Sequence, residues 1–454
     1  MPKYLKIRKS KNQNFLVEVV NTPQDIVKEK TSDTQLKVLF IDTNLGIDHA
    51  LRFAEDGHQV YIFQAGLSAF PTIDQYITGY GMHPNLSVIE DLGKVLSNVD
   101  LIVILDNIYP YFTDYLRSKG KLVFGPSNML ISLELNKTQA YYQLKELGIS
   151  VPEGEVVYGI QNLINFVKKN EDGKTKFFVK INKIRGNIET FFVKSHKEIL
   201  PILSQAKLGP FLNDLEFLVQ FEEKGIEIGA DAIVCPNGIC LPLSYTIEEK
   251  GCGNVAVWQS QSDFLTEFYN KIMPLVKDDD YRCFLCVEGF FDGKEFKVID
   301  ITSRYPYPVS SLYPKFIKNY CDVIYNVANN NPIPVEVDTD NPYLAELTVY
   351  TIDSNLWRPI YVNNPKLVNF HSDGIGFRKV IKYDDLYWFV PGDNLVYTLN
   401  AKGNSLNQAV EKIKAMLKEV SCYSIEYNDN FFSSAEEKIK NLNTFSKFNF
   451  EPKL

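Results

Sequence analysis

The stretch Phe284–Arg304, "FLCVEGFFDGKEFKVIDITSR", reads as two apolar strands around a turn at Asp292-Gly293. One carboxylate, Glu288, sits on the first strand. A second, Asp300, sits on the other, and Thr302 and Arg304 follow it at every second position. Side chains alternate along a strand, so Asp300, Thr302 and Arg304 share one face. Whether Glu288 joins them depends on the turn. A two-residue Asp292-Gly293 turn pairs Glu288 with Lys297 and points it away from Asp300. A three-residue Phe291-Asp292-Gly293 loop, with Gly293 left-handed, pairs Glu288 with Phe296 and brings it to the same face. The three-residue loop is the expected one. Two carboxylates and a nearby oxygen then make a hard site suited to Mg²⁺, which completes its shell with water and phosphate. The arginine suits a phosphate or a carboxylate. Taken alone, the hairpin favours a solvated acid pair with a salt-bridged arginine, because most charge on strands is solvated, so the rest of the chain has to decide.

The chain has 454 residues, enough for roughly two to four domains. Its net charge is −8 and its pI about 5.4, with no basic stripe, which argues against binding nucleic acid through phosphate contacts. The many tyrosines and phenylalanines read as core. The basic start "MPKYLKIRKSKNQNF" lacks an apolar segment, so a signal peptide is not expected. No run of about 18 apolar residues occurs, so no membrane span is expected. Seven scattered cysteines suit a reduced, cytoplasmic protein. Cys283 and Cys286 form a CxxC, but inside a strand-like run and without a second pair. Core thiols fit better than zinc.

Residues 1–35 read as an extension, with one alternating strand, "FLVEVV", and a linker. From Lys37 the pattern is α/β. "KVLFID", "QVYIF", "VDLIVILD" and "KLVFG" are apolar strands, and amphipathic helices lie between them. Gly57 is the stop of the first helix. This implies a parallel sheet covered on both faces over residues 36–126. Residues 127–330 open with a helix, "LELNKTQAYYQLKELG", capped by Gly148. The paired strands "KFFVKIN" and "ETFFVKS" follow, then a strand series with tight turns, then the opening hairpin. Residues 331–454 start in the loop "NNNPIPVEVDTDNP" and continue with strands, an amphipathic helix and a polar tail. The fold class is α/β (mixed α+β). It comprises a Rossmann-like N-terminal domain, a central domain and a small β-rich C-terminal domain.

This layout resembles the ATP-grasp ligases. In that family two hairpins close over ATP, and the second carries Glu and then, after a fixed gap, Glu-x-Asn-x-Arg. Glu288, Asp300, Thr302 and Arg304 stand at that spacing, with Asp for the second Glu and Thr for Asn. Within the family the resemblance is to the phosphoribosylamine–glycine ligases of purine biosynthesis, and it covers residues 37 to about 430. It implies ATP and Mg²⁺ (with Mn²⁺ a possible substitute), held by Glu288, Asp300 and Thr302. "VFGPSNMLISLELNKTQAYYQLKELGISVP" is similar to the segment joining the first two domains, which implies that Lys137 meets phosphate. "FFVKIN" implies the same for Lys180. "LVQFEEKGIEIGADAIV" is similar to the hinge and grasp strand, where backbone near Val219 reads adenine and Glu227 binds ribose. Arg304 is implied as the catalytic cation facing the transferred phosphate or the acid. Gly46 and His49, in "LGIDHAL", are implied substrate contacts.

The departures from the family lie in the loops. After Lys180 the glycine-rich loop is replaced by "NKIRGNIET", where Gly186 is the only glycine and Lys183 or Arg185 would supply charge. Ile47 stands where the family has arginine. "LIVILDN" is not followed by Gly-Pro-Glu. "CGNVAVWQSQSD" stands for a longer glycine-rich substrate loop, and Arg304 leads into "YPYP" rather than Gly-Asp-Pro. The plainer readings are a core or capping role for His49, a solvated strand face for Glu227 and a surface position for Lys137. Lys180 lies in an apolar strand, where lysine needs a partner. The expectation is an ATP-dependent carboxylate–amine ligase acting through an acyl phosphate on small molecules, as monomer or homodimer. The alternatives are a different acid and amine, or a non-catalytic nucleotide-binding descendant. A biotin carboxylase is disfavoured by the same missing glycines and by the lack of a carrier domain.

Overall fold

The structure is a computed structural model of the full chain. It describes all residues except 1–3, 10–14, 21–34, 44, 65–76, 183–188, 206–208, 262, 307–310, 393 and 446–447. Met1–Leu36 form a unit of their own. In it β1 (Tyr4–Lys9) pairs antiparallel with β2 (Phe15–Val20). The expected strand "FLVEVV" is therefore half of a hairpin. Its partner, "YLKIRK", lies in the basic start of the chain and was not expected as a strand. The second unit is Lys37–Leu454.

The second unit begins with β3 (Lys37–Asp42), β4 (Gln59–Gln64), β5 (Leu86–Ile89), β6 (Leu101–Ile104) and β7 (Val123–Phe124). They form a parallel sheet in the order β5-β4-β3-β6-β7. On one side Leu39, Ile41, Ile102 and Ile104 pack with Leu116 and Val123. The strand order reverses between β3 and β6, the kind of position at which open α/β sheets bind ligands. The helix Ile47–Glu55 ends where Gly57 takes φ +86. The linking segment is not one helix but two, Asn128–Leu135 and Lys137–Glu146. Asn136 breaks it because its side chain accepts the Gln139 N–H and caps the second helix.

A small antiparallel sheet follows, with β8 (Gly154–Tyr158), β9 (Phe177–Ile181), β10 (Thr190–Val193) and β11 (Glu216–Phe221) in the order β10-β9-β11-β8. Val157, Val179, Phe217 and Val219 pack against Leu163 and Val167 of the helix Ile160–Asn170. The largest sheet starts with β12 (Ile226–Cys235), β13 (Gly238–Glu249), β14 (Gly253–Gln259), β15 (Cys283–Phe291) and β16 (Phe296–Thr302). The C-terminal strands are β17 (Tyr343–Thr351), β18 (Arg358–Val362), β19 (Gly374–Phe377), β20 (Val380–Tyr383), β21 (Leu386–Phe389), β22 (Leu395–Gly403), β23 (Val420–Ser421) and β24 (Ile425–Glu426). The large sheet runs β16-β15-β12-β13-β14-β17-β22-β19, with β24 on β17, while β20-β21-β18-β23 form a separate sheet.

Residues on either side of 331 thus share one sheet, joined where β14 pairs with β17. Gly253 makes that seam possible, since a Cβ there would lie 2.2 Å from the Glu346 carbonyl oxygen. β14 is also the segment read as a shortened substrate loop, and it is buried throughout. The cysteines of the CxxC are free and buried in β15. Among the described residues no helix is long and apolar enough to cross a membrane.

A polar seam runs beneath the C-terminal strands. Asp48 pairs with Arg378 at 3.1 Å and accepts the Phe377 N–H at 2.7 Å. Glu346 is fully buried, and burial pushes its carboxyl up to about 8, against the opposing pull of Arg378. The native state therefore keeps a proton that the unfolded chain loses near pH 4.5, so this group's contribution to stability falls as pH rises through about 8. Glu346→Gln removes that loss. Relative to wild type, the variant should gain about 1.4 kcal/mol per pH unit between the two values, measured by urea unfolding. Parallel pH profiles for the two proteins would show that Glu346 titrates normally.

Candidate active site

The hairpin forms, but with neither expected turn. Phe291 pairs with Phe296, leaving a four-residue loop, 292–295. The Asp292 carboxylate shapes it by accepting the N–H groups of Lys294 and Glu295 at 2.8 and 2.9 Å. That register alone would set Glu288 opposite Ile299, with Asp300 on the other face. A bulge intervenes: Gly289 pairs with Val298, but Glu288 pairs with Asp300, and Ile299 is left over. The two carboxylates face each other directly. Thr302 lies across from Cys286 and borders the same cleft.

Two lysines converge on this pair. Lys137, first residue of its helix, reaches Asp300 Oδ1 at 2.6 Å. Lys180, on β9, hydrogen-bonds to the carbonyl of the bulged Ile299. Burial lowers the Lys137 ammonium, but the charge and hydrogen bond of Asp300 outweigh it and leave its pKa raised. Among the described residues Lys180 has no such ion pair, and burial brings it down to about 8. The acids split likewise. Burial raises both, but Lys137 and Lys180 bring Asp300 below the ordinary range. Glu288, pushed by burial and then by the charge of Asp300, rises to about 8. Without a cation, then, Asp300 is ionised and Glu288 holds a proton at neutral pH.

The pair stands between two compartments of one cleft. The first, about 330 Å³, is walled by Phe178, Phe221, Phe290 and Ile299, with Lys180 and Gln220 at its edge. Its size and flat apolar walls suit a nucleobase. The second, about 420 Å³, holds Thr246, Glu248, Thr302 and Arg304. Glu227, Glu288 and Asp300 line both. Glu227 therefore sits at the seam. Val219 lies outside the cleft. It is buried in the middle of the small sheet, paired with Glu155 on β8 and Val179 on β9. The hinge residues that border the cavity are Gln220, Phe221 and Glu223.

The donors suit Mg²⁺. Two facing carboxylates and a hydroxyl border open space. Gly229, opposite Glu288 on β12, keeps the floor clear, because a Cβ there would lie 2.7 Å from Thr246 Oγ1. Among the described residues no three His, Cys, Asp or Glu side chains could hold a metal by themselves.

Arg304 is engaged within the protein. It bonds to Glu134 at 2.9 Å and stands 4.0 Å from Asp106, at the carboxyl end of β6. Burial opposes its charge, yet Glu134 and Asp106 raise its pKa further. Gly46 and His49 do not reach the cleft. A Cβ at Gly46 would strike the Leu105 side chain at 2.4 Å, so this glycine serves packing. His49 is fully buried, hydrogen-bonds with Tyr320, packs edge-on against Tyr305 and is kept neutral by burial. Ile47, in the place of the family's arginine, is core. Of the substituted loop, Lys183, Arg185 and Gly186 lie outside the described residues.

Sequence reasoning passed over Gln220, Glu134, Glu248 and Lys438. Lys438 reaches the second compartment from the helix Phe431–Leu442. Glu248 carried a signal, as one of two adjacent acids ending an apolar strand. Glu134 and Lys438 carried none, because their helices lie far away in sequence.

The sheets, the bulged hairpin and the two converging lysines make up the ATP-grasp fold. Among solved structures, phosphoribosylamine–glycine ligase from Thermotoga maritima superposes with a TM-score of 0.66 at 17% identity, covering 87% of this chain and 99% of that one. Biotin carboxylase from Campylobacter jejuni, in an ATP complex, gives 0.63 at 14%, covering 91% and 98%. N5-carboxyaminoimidazole ribonucleotide synthetase from Thermotoga maritima gives 0.57 at 15%, covering 87% and 100%. No protein-family profile matches the sequence. No curated protein matches it at a significant level.

Metal binding should strengthen as pH rises towards about 8 and level off above it, because Glu288 must first shed its proton. Mn²⁺ binding followed by electron paramagnetic resonance reads this directly, and Glu288→Gln should abolish the rise. A flat profile for the wild type would remove Glu288 from the metal site. Lys180→Ala should weaken Mg–ATP binding about tenfold or more, the worth of a lost charge-assisted hydrogen bond. Unchanged affinity in calorimetry would withdraw its phosphate role.

Proposed function

We propose that the protein is an ATP-dependent carboxylate–amine ligase. The observation that carries this reading is the meeting of Glu288, Asp300, Lys137 and Lys180 at the junction of an apolar and a polar compartment. A nucleoside triphosphate fits with its base among Phe178, Phe221 and Phe290 and its ribose at Glu227. Glu288 and Asp300, with Thr302 beside them, would hold Mg²⁺, which draws charge from the phosphates. Lys137 and Lys180 neutralise the same oxygens.

A substrate carboxylate oxygen attacks the γ-phosphorus, the bond to the β-phosphate oxygen breaks, and ADP leaves. An amine then attacks the carbonyl carbon of the acyl phosphate. Phosphate departs with the C–O electron pair, and the nitrogen loses a proton to give the amide. The chain's part is positioning and charge neutralisation, and no side-chain nucleophile is needed. Arg304, tied to Glu134 and Asp106, keeps the end of the hairpin in place beside the second compartment.

The similarity to phosphoribosylamine–glycine ligase supports that pair of substrates, and with it a place in purine biosynthesis. A second reading, the same chemistry on a different acid and amine, is favoured by one observation. The positions read as substrate contacts, Gly46 and His49, are committed to packing, and Ile47, in place of the family's arginine, is core.

The test is ADP release from Mg–ATP with glycine and phosphoribosylamine, beside a parallel assay in which hydroxylamine traps any acyl phosphate. Glu288→Ala/Asp300→Ala should lower either signal at least a hundredfold. Amide formation from the two named substrates would establish the first pair. Trapping with other acids alone would establish the second. A protein that binds Mg–ATP but releases no ADP with any acid would be a non-catalytic descendant.

A further inference from the structure

The separate sheet of β20, β21, β18 and β23 is apolar on both faces. Its inner side is core, with Val380, Phe389 and Ile360 fully buried. An antiparallel sheet with one buried face ordinarily turns polar side chains to the other. Here Pro359, Trp388 and Ile381 stand in one outer row across β18, β21 and β20. Two residues nearer the turn between β20 and β21 come Tyr361, Leu386 and Tyr383, which are 38%, 37% and 65% exposed.

The patch widens on both sides. Tyr423, 64% exposed, meets Tyr361 edge-on with ring centroids 6.4 Å apart. On the far side the Gly79 N–H bonds to the Val380 carbonyl and the Lys382 N–H to the Tyr80 carbonyl, each at 2.8 Å. Those bonds occupy the free edge of β20, so the sheet offers a partner its face and not its edge. Tyr80 itself is 60% exposed. At roughly 200 Å² per aromatic side chain, the patch presents on the order of 600 Å². That stands at the top of the ~300–600 Å² range for the largest patch of a typical monomer. With a polar rim it approaches the ~800 Å² that each partner buries in a stable interface.

The charges at its two ends are opposite. Lys379, two residues before Ile381, continues the strand, since the Val390 N–H bonds to its carbonyl at 2.9 Å. By alternation it shares the outer side, and among the described residues it makes no ion pair. At the other end Asp384 and Asp385 form the turn, with φ 49 and 61, the left-handed pair that a two-residue hairpin needs. Asp385 is almost fully exposed, and its ion pair with Lys382 is 3.6 Å long.

We propose that the protein forms a homodimer in which the outer faces of β18, β20 and β21 pack on each other about a two-fold axis running across the strands. Two faces brought together by a two-fold axis can have it along the strands or across them. An axis across them reverses strand direction, so Lys379 of each copy meets the Asp384-Asp385 turn of the other. An axis along the strands sets like charges together. The cleft is built from other strands, so the dimer does not depend on the ligase reading.

The experiment is sedimentation equilibrium of the full chain over a concentration series. The wild type should reach twice the 52.0 kDa chain mass. Tyr383→Glu/Leu386→Glu, at exposed positions, should weaken the dimer about a hundredfold or more. Lys379→Glu should weaken it about tenfold, and adding Asp384→Asn/Asp385→Asn should recover part of that loss, because asparagine tolerates the left-handed turn and removes the like charge. Circular dichroism confirms the fold of each variant. A wild type that stays monomeric throughout, its face covered by another part of the chain or kept for a different protein, would overturn the proposal. So would a dimer indifferent to Tyr383→Glu/Leu386→Glu, or one in which Lys379→Glu has no effect.

Discussion

Two half-buried carboxylates held face to face repel each other, and Glu288 and Asp300 are held in that position by an extra residue in one strand. Ile299, the bulged residue, does two things. It shifts Asp300 into line with Glu288, and its carbonyl receives the Lys180 ammonium. Lys137 then neutralises Asp300 from the other side. The result is one charged and one protonated acid, a resting state that a divalent cation can convert into two ligands. The hairpin, the small sheet and the linking helix each supply one member of this arrangement, so it exists only when all three are in place.

The same hairpin ties the cleft to the parallel sheet. Just past Thr302, the Ser303 N–H and the Arg304 guanidinium both bond to Glu134, and Tyr305 N–H bonds to the Leu105 carbonyl at the end of β6. Glu134 and Lys137 stand on either side of the Asn136 break. One short segment therefore secures the charged pair of β16 and the strand's exit. Moving that segment would disturb the acid pair and the end of β6 together, so the cleft and the parallel sheet are joined through rigid contacts.

Much of this was legible from the residues. The apolar strands between helices announced the parallel sheet, since strands buried on both faces need continuous apolar runs. The spacing of Glu288, Asp300, Thr302 and Arg304 marked residues that line one cleft, and Lys180 stood out as a charge inside an apolar strand. The hairpin register was not legible. It depends on an Asx-type loop at Asp292 and on a bulge whose stabilising partner, Lys180, lies more than a hundred residues away. The Asn136 break could have been read from its capping chemistry. The join of β14 to β17 could not, because an edge strand carries no mark of which neighbour will cover it.

Residue type and local spacing alone determined which groups could bind a hard cation and phosphate, because strand alternation and turn chemistry act over a few residues. Tertiary packing decided which of those groups meet. It set Glu288 against Asp300 and gave Lys137 and Lys180 opposite pKa shifts. It withdrew Val219, Gly46 and His49 into the core and brought Lys438 and Glu134 to the cleft. Burial and charge depend on every neighbour in space, and the field at Glu288 is a sum over side chains from distant parts of the chain, which no local pattern records.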